Sequence, residues 1–242
     1  YLNLFVNRQE FARSILHAPG ALDEDIGTSS EGEGKVIAID FSSPNIAKPF
    51  HVGHLRSTII GSTLYRIFSS LGYECVGINH LGDWGTQFGK QIVGLKHWGA
   101  EKDLEDLDAL NALYVRYHEE EEKNPELADE ARDWFRRQEA GDPEALALWE
   151  KIRQTSLDYF KKIYDRLSVR FDHYTGESFF NDKMDAVVER ADSLGLTSVS
   201  EGALVIDLEP HGIDTPALLR KADGATLYMT RDLAAACHRQ ET

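Results

Sequence analysis

Cysteine is scarce in this chain: 242 residues carry two, Cys75 and Cys237, standing 162 positions apart. That spacing offers neither a disulfide framework nor a cysteine-based metal cluster, and it suits a reducing compartment. No apolar run is long enough to cross a bilayer, and nothing after Tyr1 resembles a signal or transit peptide. Cysteine usage makes the cytoplasm the expected location, with a mitochondrial one left open because any targeting region is expected to lie outside this stretch, and no membrane partner is expected. Basic residues are also short, 26 Lys and Arg against 41 Asp and Glu, for a net charge of −15. Nucleic-acid binding draws on Lys and Arg at phosphates, so this balance argues against the chain holding nucleic acid by itself. The excess is local: between Glu101 and Glu150 stand 17 acidic and 6 basic residues, accounting for 11 of the 15 negative charges. A charged helical stretch of this kind reads as a solvated face. The remainder, 42% hydrophobic and 28% charged, is enough for one sizeable core plus an insertion.

What is present is organised around one loop. Lys35 to Phe41 is an apolar run of the kind found in strands buried on both faces in a parallel sheet. Leu55, Ile59, Ile60, Leu64, Ile67, Phe68 and Leu71 then recur at helical spacing and stop at Gly72, the expected residue just past a helix C-cap. The loop between them lies at the carboxyl end of a strand, where open α/β sheets bind ligands. Pro49 fixes the chain ahead of the helix, so His51 and His54 share its first turn on either side of Gly53. Gly53 admits a flat group or a phosphate to the backbone, free N–H groups at the helix start attract anions, and Lys48 adds a mobile positive charge. Such a set suits a polyphosphate whose charge grows during reaction. Taken alone, a His-x-x-His pair more often caps or packs a helix.

A second strand is expected over Tyr73–Asn79, a turn at Gly82–Gly85 with both glycines as candidates for positive φ, and a helix from Thr86 through Trp98. Asp83 and Gln87 read equally well as turn former and helix cap or as ligand contacts. From Asp103 to Leu167 the pattern is helical, punctuated by Pro125 and Gly141-Asp-Pro143, with a core stripe of Trp149, Ile152, Ser156, Phe160, Ile163, Tyr164 and Leu167. A helix over Asp185–Leu194 and strands over Ala203–Leu208 and Ala217–Lys221 follow, with the main sheet expected to resume at Leu227. Ahead of everything, Leu2, Leu4 and Val6 alternate as in a strand, Arg8–His17 suits a short helix, and Pro19–Gly34 reads as a linker.

The block Ser42 to His54, then Asn79-His-Leu-Gly-Asp-Trp-Gly-Thr-Gln-Phe-Gly89, then Leu227-Tyr-Met-Thr-Arg-Asp-Leu-Ala-Ala-Ala236 resembles class I arginyl-tRNA synthetases, of a eukaryotic, fungal-like cytosolic type. His51-Val-Gly-His54 is similar to that class's HIGH motif. The resemblance implies the first half of a Rossmann-like doubly wound parallel nucleotide-binding fold with a largely helical insertion. It divides the chain into 1–34, the end of an N-terminal tRNA-contacting domain plus linker; 35–100, the first half of the catalytic fold; 101–225, the insertion; and 226–242, a return to the catalytic fold. It implies Mg-ATP as a substrate, with no tightly bound metal site, and L-arginine and tRNA(Arg) as the other partners. Lys48, His51 and His54 are the implied catalytic residues, and Lys48, His51, Gly53 and His54 the ATP contacts. Arginine is expected at Ser43, Pro44, Asn45, His54, Glu177, Tyr228 and Asp232; without the resemblance, Glu177 is an unremarkable exposed loop carboxylate. A guanidinium has five donors in a planar fork and keeps its charge, so its pocket needs carboxylates, here Glu177 and Asp232, with Tyr228 for stacking. The second phosphate-binding loop of the class has no counterpart in this sequence, so the 242 residues by themselves are expected to be inactive. The alternatives are a non-catalytic synthetase module that binds partners, or another HxGH nucleotidyltransferase. The set Glu177, Tyr228 and Asp232 serves only a cationic substrate and so separates the last of these.

Overall fold

A computed structural model describes residues 5–17, 27–222, 224 and 226–241. Leu2 and Leu4 of the first expected strand, the linker as far as Ile26, and Thr242 lie outside the described residues. Helix α1, Arg8–Leu16, is capped by the Asn7 side chain, which accepts from the Gln9 and Glu10 amides, and buries none of its residues.

Strand β1, Val36–Asp40, leads through the motif loop into α2, Val52–Ser70, and then to β2, Glu74–Ile78, which pairs with β1 in parallel. Gly72 takes a φ of +85° just after α2, as a stop signal should. This is the first half of a doubly wound parallel fold. The expectation that β1 is buried on both faces fails: alternate residues are exposed, Val36 at 64%, and only Ile37 and Ile39 are half-buried. Among the described residues, β1 pairs with β2 alone. On the exposed face Val36, Ala38, Val76 and Ile78 line a cavity of about 350 Å³ with His173, Thr175, His238 and Arg239. The apolar stripe of α2 is likewise half-exposed. Its buried positions are Thr58 and Gly61, where a Cβ on Gly61 would stand 2.1 Å from the Phe41 side chain. The helix crosses the strand end that closely because nothing projects from it there.

Helix α3, Thr86–Trp98, begins after Gly85, whose φ of +141° strains any other residue. Gly82 differs from expectation. Its φ is ordinary, and the constraint is proximity: a Cβ would lie 3.0 Å from the Cα of Asn45, with which Gly82 forms a parallel bridge. After a 3₁₀ turn at Glu101–Glu105 come α4, Leu107–Glu121, α5, Glu126–Glu139, and α6, Pro143–Leu167. Asp142 caps α6 through the Ala145 amide, with Pro143 in the first turn where its missing N–H costs nothing. The expected stripe is buried at Ile152, Ser156, Phe160 and Tyr164. Ile152, Phe160 and Tyr164 join Phe41, Ile46, Leu81, Phe88 and Ile92 in one cluster, so the helical stretch and the strand loops share a core.

Helix α7, Met184–Ser193, precedes a separate antiparallel sheet of β3, Thr197–Ser200, β4, Ala203–Ile206, and β5, Ala217–Arg220. β3 escapes a reading by hydrophobic pattern because Thr-Ser-Val-Ser presents one apolar residue, which is exposed. Helix α8, Tyr228–Glu241, follows. The main sheet does not resume at Leu227. Thr226 makes a single bridge to Arg220, and the helix-forming run that includes Leu233-Ala-Ala-Ala236 has already begun by Tyr228.

Candidate active site

The loop after β1 starts with two consecutive left-handed serines, Ser42 at φ 67° and Ser43 at φ 44°. Non-glycine residues there cost of order 1–3 kcal/mol each and persist only where the surroundings over-determine them. They do so here. Ser42 Oγ lies 2.8 Å from the Tyr164 hydroxyl on α6 and 2.7 Å from Thr58 Oγ1 on α2. The Ser43 amide donates to Asn79 Oδ1, and Asn79 Nδ2 donates in turn to Tyr164. Ser43 Oγ donates to Asp40 and accepts from the His80 amide. Asn45 folds its side chain back onto the Ala47 amide, and Pro44 accepts from the Gly82 amide. Of these groups, Asp40, Asn79, His80, Thr58 and Tyr164 are absent from the sequence-based site. An acid at the last position of a strand that ends in a ligand loop is the one readable signal, and it points to Asp40.

His51 is the N-cap of α2 and His54 its third residue. The His51 Nδ1 accepts from the Gly53 amide at 3.1 Å, and the His54 Nδ1 accepts from the His51 amide at 3.3 Å, with the rings stacked 3.8 Å apart. The pair therefore does cap its helix, and the Gly53 and His51 amides expected to meet an anion are already used. Capping also sets the chemistry. A ring nitrogen that accepts carries no proton, so each neutral imidazole bears its proton on Nε2 and presents a donor. Burial, and then the closeness of the His51 ring, lowers the His54 pKa from the ordinary histidine value and favours the neutral ring. A Cβ on Gly53 would come within 2.9 Å of the His51 ring, so glycine there is required by the cap itself. Lys48 and His51 open onto a cleft of about 520 Å³ whose far wall includes Asn111, Tyr114 and His118 of α4.

Glu177 opens a 3₁₀ turn, Glu177–Phe180, and is half-buried, unlike the exposed carboxylate its sequence context suggests. The turn is held by Asp83, which is 0% exposed: its carboxylate accepts from the Ser178 amide, the Ser178 hydroxyl and Arg153 Nε, each at 2.8 Å. Asp83 is thus a fixed anchor, and Gln87 bonds the Trp84 carbonyl. Burial chiefly raises the Glu177 pKa; Arg231 opposes the rise, while Asp83 and Asp232 add to it. Asp232 also acts on His80, which Asp40 and Arg239 flank. Asp232 thus acts on both Glu177 and His80, and the His80 amide donates to Ser43. Tyr228 and Asp232 share a face of α8 through helical spacing instead of a strand end, and both are exposed, Tyr228 at 66%. No group of three or more His, Cys, Asp or Glu side chains that could hold a metal occurs among the described residues.

A helix N-terminus with paired imidazoles at the carboxyl end of a parallel strand is an arrangement of the class I synthetase kind. The family model described as tRNA synthetases class I (R), catalytic domain, matches residues 19–242, and the chain belongs to that family. It is 54% identical over 244 residues to the arginine–tRNA ligase of Alkaliphilus metalliredigens (strain QYMF), covering 100% of this chain and 43% of that protein. Against the arginine–tRNA ligase of Latilactobacillus sakei subsp. sakei (strain 23K) the identity is 52%, with the same coverage. The crystal structure of arginyl-tRNA synthetase from Plasmodium falciparum superposes with a TM-score of 0.70 at 34% identity, covering 89% of this chain and 36% of that one. The likeness is therefore not specific to the eukaryotic, fungal-like type. The chain spans less than half the length of the curated relatives it matches.

Proposed function

We propose that this chain supplies the arginine-activating part of an arginine–tRNA ligase. What supports the reading is that Asp232 acts electrostatically on both Glu177 and His80, and the His80 amide holds Ser43, so carboxylates suited to a guanidinium lie within reach of a polar, pre-set loop. The names of the relatives support the same substrate. In this reading a carboxylate oxygen of L-arginine attacks the α-phosphorus of ATP, which enters as Mg-ATP, and pyrophosphate leaves. A ribose hydroxyl at the 3′ end of tRNA(Arg) then attacks the arginyl carbonyl, and AMP leaves. Lys48 and the Nε2 donors of His51 and His54 stabilise charge growing on the phosphates, so catalysis is alignment plus electrostatics, with no covalent protein intermediate. Glu177, Asp232 and Tyr228 hold the guanidinium; Ser43, Pro44 and Asn45 shape the other end.

The support runs toward the bacterial enzymes as to type, since both relatives quoted above 50% identity come from bacteria. Two unpaired cysteines support a cytoplasmic location. The test is ATP–pyrophosphate exchange by a full-length enzyme carrying this chain: exchange should require arginine and, with lysine in its place, stay at background. Exchange supported equally by lysine or by a neutral amino acid would remove the arginine assignment.

A further inference from the structure

One ion pair joins segments 199 residues apart: Arg239 Nη2 on α8 donates to Asp40 Oδ2 at the end of β1, at 2.8 Å. The other oxygen of Asp40 accepts from Ser43, whose hydroxyl in turn accepts from His80. Arg239 follows Asp232 by two helical turns and shares its face, while its own Nε is buried without a partner. Its guanidinium is therefore committed to Asp40, and through Asp40 to the left-handed serine turn. We propose that Arg239 is a positioning residue that ties the two ends of the amino-acid site together. By clamping Asp40 it fixes the Ser43 turn at a set distance from Asp232 and Tyr228, so that one arginine spans both. An Asp40 released from Arg239 frees Ser43 from its orientation and leaves α8 with one link fewer to the sheet. The inference rests on the arginine-site reading above.

The experiment uses a full-length enzyme with Arg239→Met, Asp40→Asn, both together, Arg239→Lys, and Asp232→Asn as the reference arm. Pyrophosphate exchange is measured with arginine and ATP varied separately, alongside the melting temperature. Arg239→Met should raise the KM for arginine about tenfold or more, the scale of one charged hydrogen bond, with the KM for ATP changing less than about twofold. The double variant should be no worse than the poorer single one, because both remove the same link. Arg239→Lys should recover part of the loss, and it serves in place of Arg239→Met if that variant does not fold. A wild-type arginine KM in Arg239→Met, additive losses in the double variant, or equal losses for both substrates that track the melting temperature would each reduce the pair to a staple and overturn the proposal. If Asp232→Asn loses arginine while Arg239→Met does not, the clamp alone fails. If Asp232→Asn also keeps wild-type affinity, the arginine-site reading fails with it.

Discussion

The two ends of the candidate site are built differently. The serine turn and the imidazole pair sit where α2, α6 and the residues after β2 converge, and almost every polar atom there has a partner inside the fold. Tyr228 and Asp232 project from an exposed helix face, while the opposite side of α8 packs on α7, β5 and the turn around Phe180, and Arg239 reaches β1. On the proposed reading, one end is set before substrate arrives, and the other is completed by it. Damage to the first should therefore appear in turnover, and damage to the second in arginine affinity.

The largest effect should come from the pre-set end. His54→Ala in a full-length enzyme removes an Nε2 donor and the cap on the His51 amide, and it should slow arginine-dependent pyrophosphate exchange about 10²–10³-fold, the scale of one lost oxyanion-type donor. Near wild-type exchange by a folded variant would take His54 out of the mechanism. Asp232→Asn comes next and probes the open end. It should weaken arginine by about 1.5–3 kcal/mol, the worth of a hydrogen bond to a charged group, and leave ATP almost untouched. Equal losses for both ligands would erase the contrast between the two ends.

How much of this the sequence displays follows the same division. Periodicity and turn chemistry reveal β1, α2, β2, α3 and the long helices because each carries a repeated apolar signal or a stop such as Gly72. The His51–His54 pair is visible because it is local, three residues apart in one turn. Asn79 and Tyr164 are not, because their roles arise from contacts 36 to 122 residues away in the chain, which no spacing encodes; Asp40 shows only as an acid at a strand end, and its partner Arg239 lies 199 residues off. The exposed face of β1 departs from the sequence-based expectation for a related reason. A β-branched run reports that a strand can be buried, and burial itself depends on what packs against it.

Tyr164→Phe sharpens the contrast from the side of stability. It removes one hydroxyl that serves both Ser42 and Asn79 in a buried network, leaving their polar atoms short of a partner at a cost of about 1–3 kcal/mol. Urea denaturation should show this loss, and exchange activity should fall with it because the strained serines lose one of their constraints. Unchanged stability would mean that water replaces the hydroxyl and that the turn needs no support from α6.

The smallest effect tests Glu177, which belongs to both ends: its position is set by Asp83, and its charge awaits the substrate. Burial holds its pKa above the ordinary 4.5, so the folded chain binds the proton more readily than the unfolded chain does. The sign follows from linkage: this group's favourable contribution is fully present below the unfolded value and is lost as pH rises through the folded one. At pH 7 the carboxylate is therefore a modest burden on the free protein. Glu177→Gln should raise the denaturation midpoint slightly at pH 7, with the gain shrinking as pH falls through the raised folded pKa and gone below about 4.5. The same variant should bind arginine more weakly at pH 7, since the guanidinium loses a charged partner. In the unmodified enzyme, arginine affinity should begin to fall on acidification while the pH is still above the usual glutamate range. A variant that lost stability and affinity together would make Glu177 a structural residue; stability gained and affinity lost is the signature of a charge kept in place for its ligand.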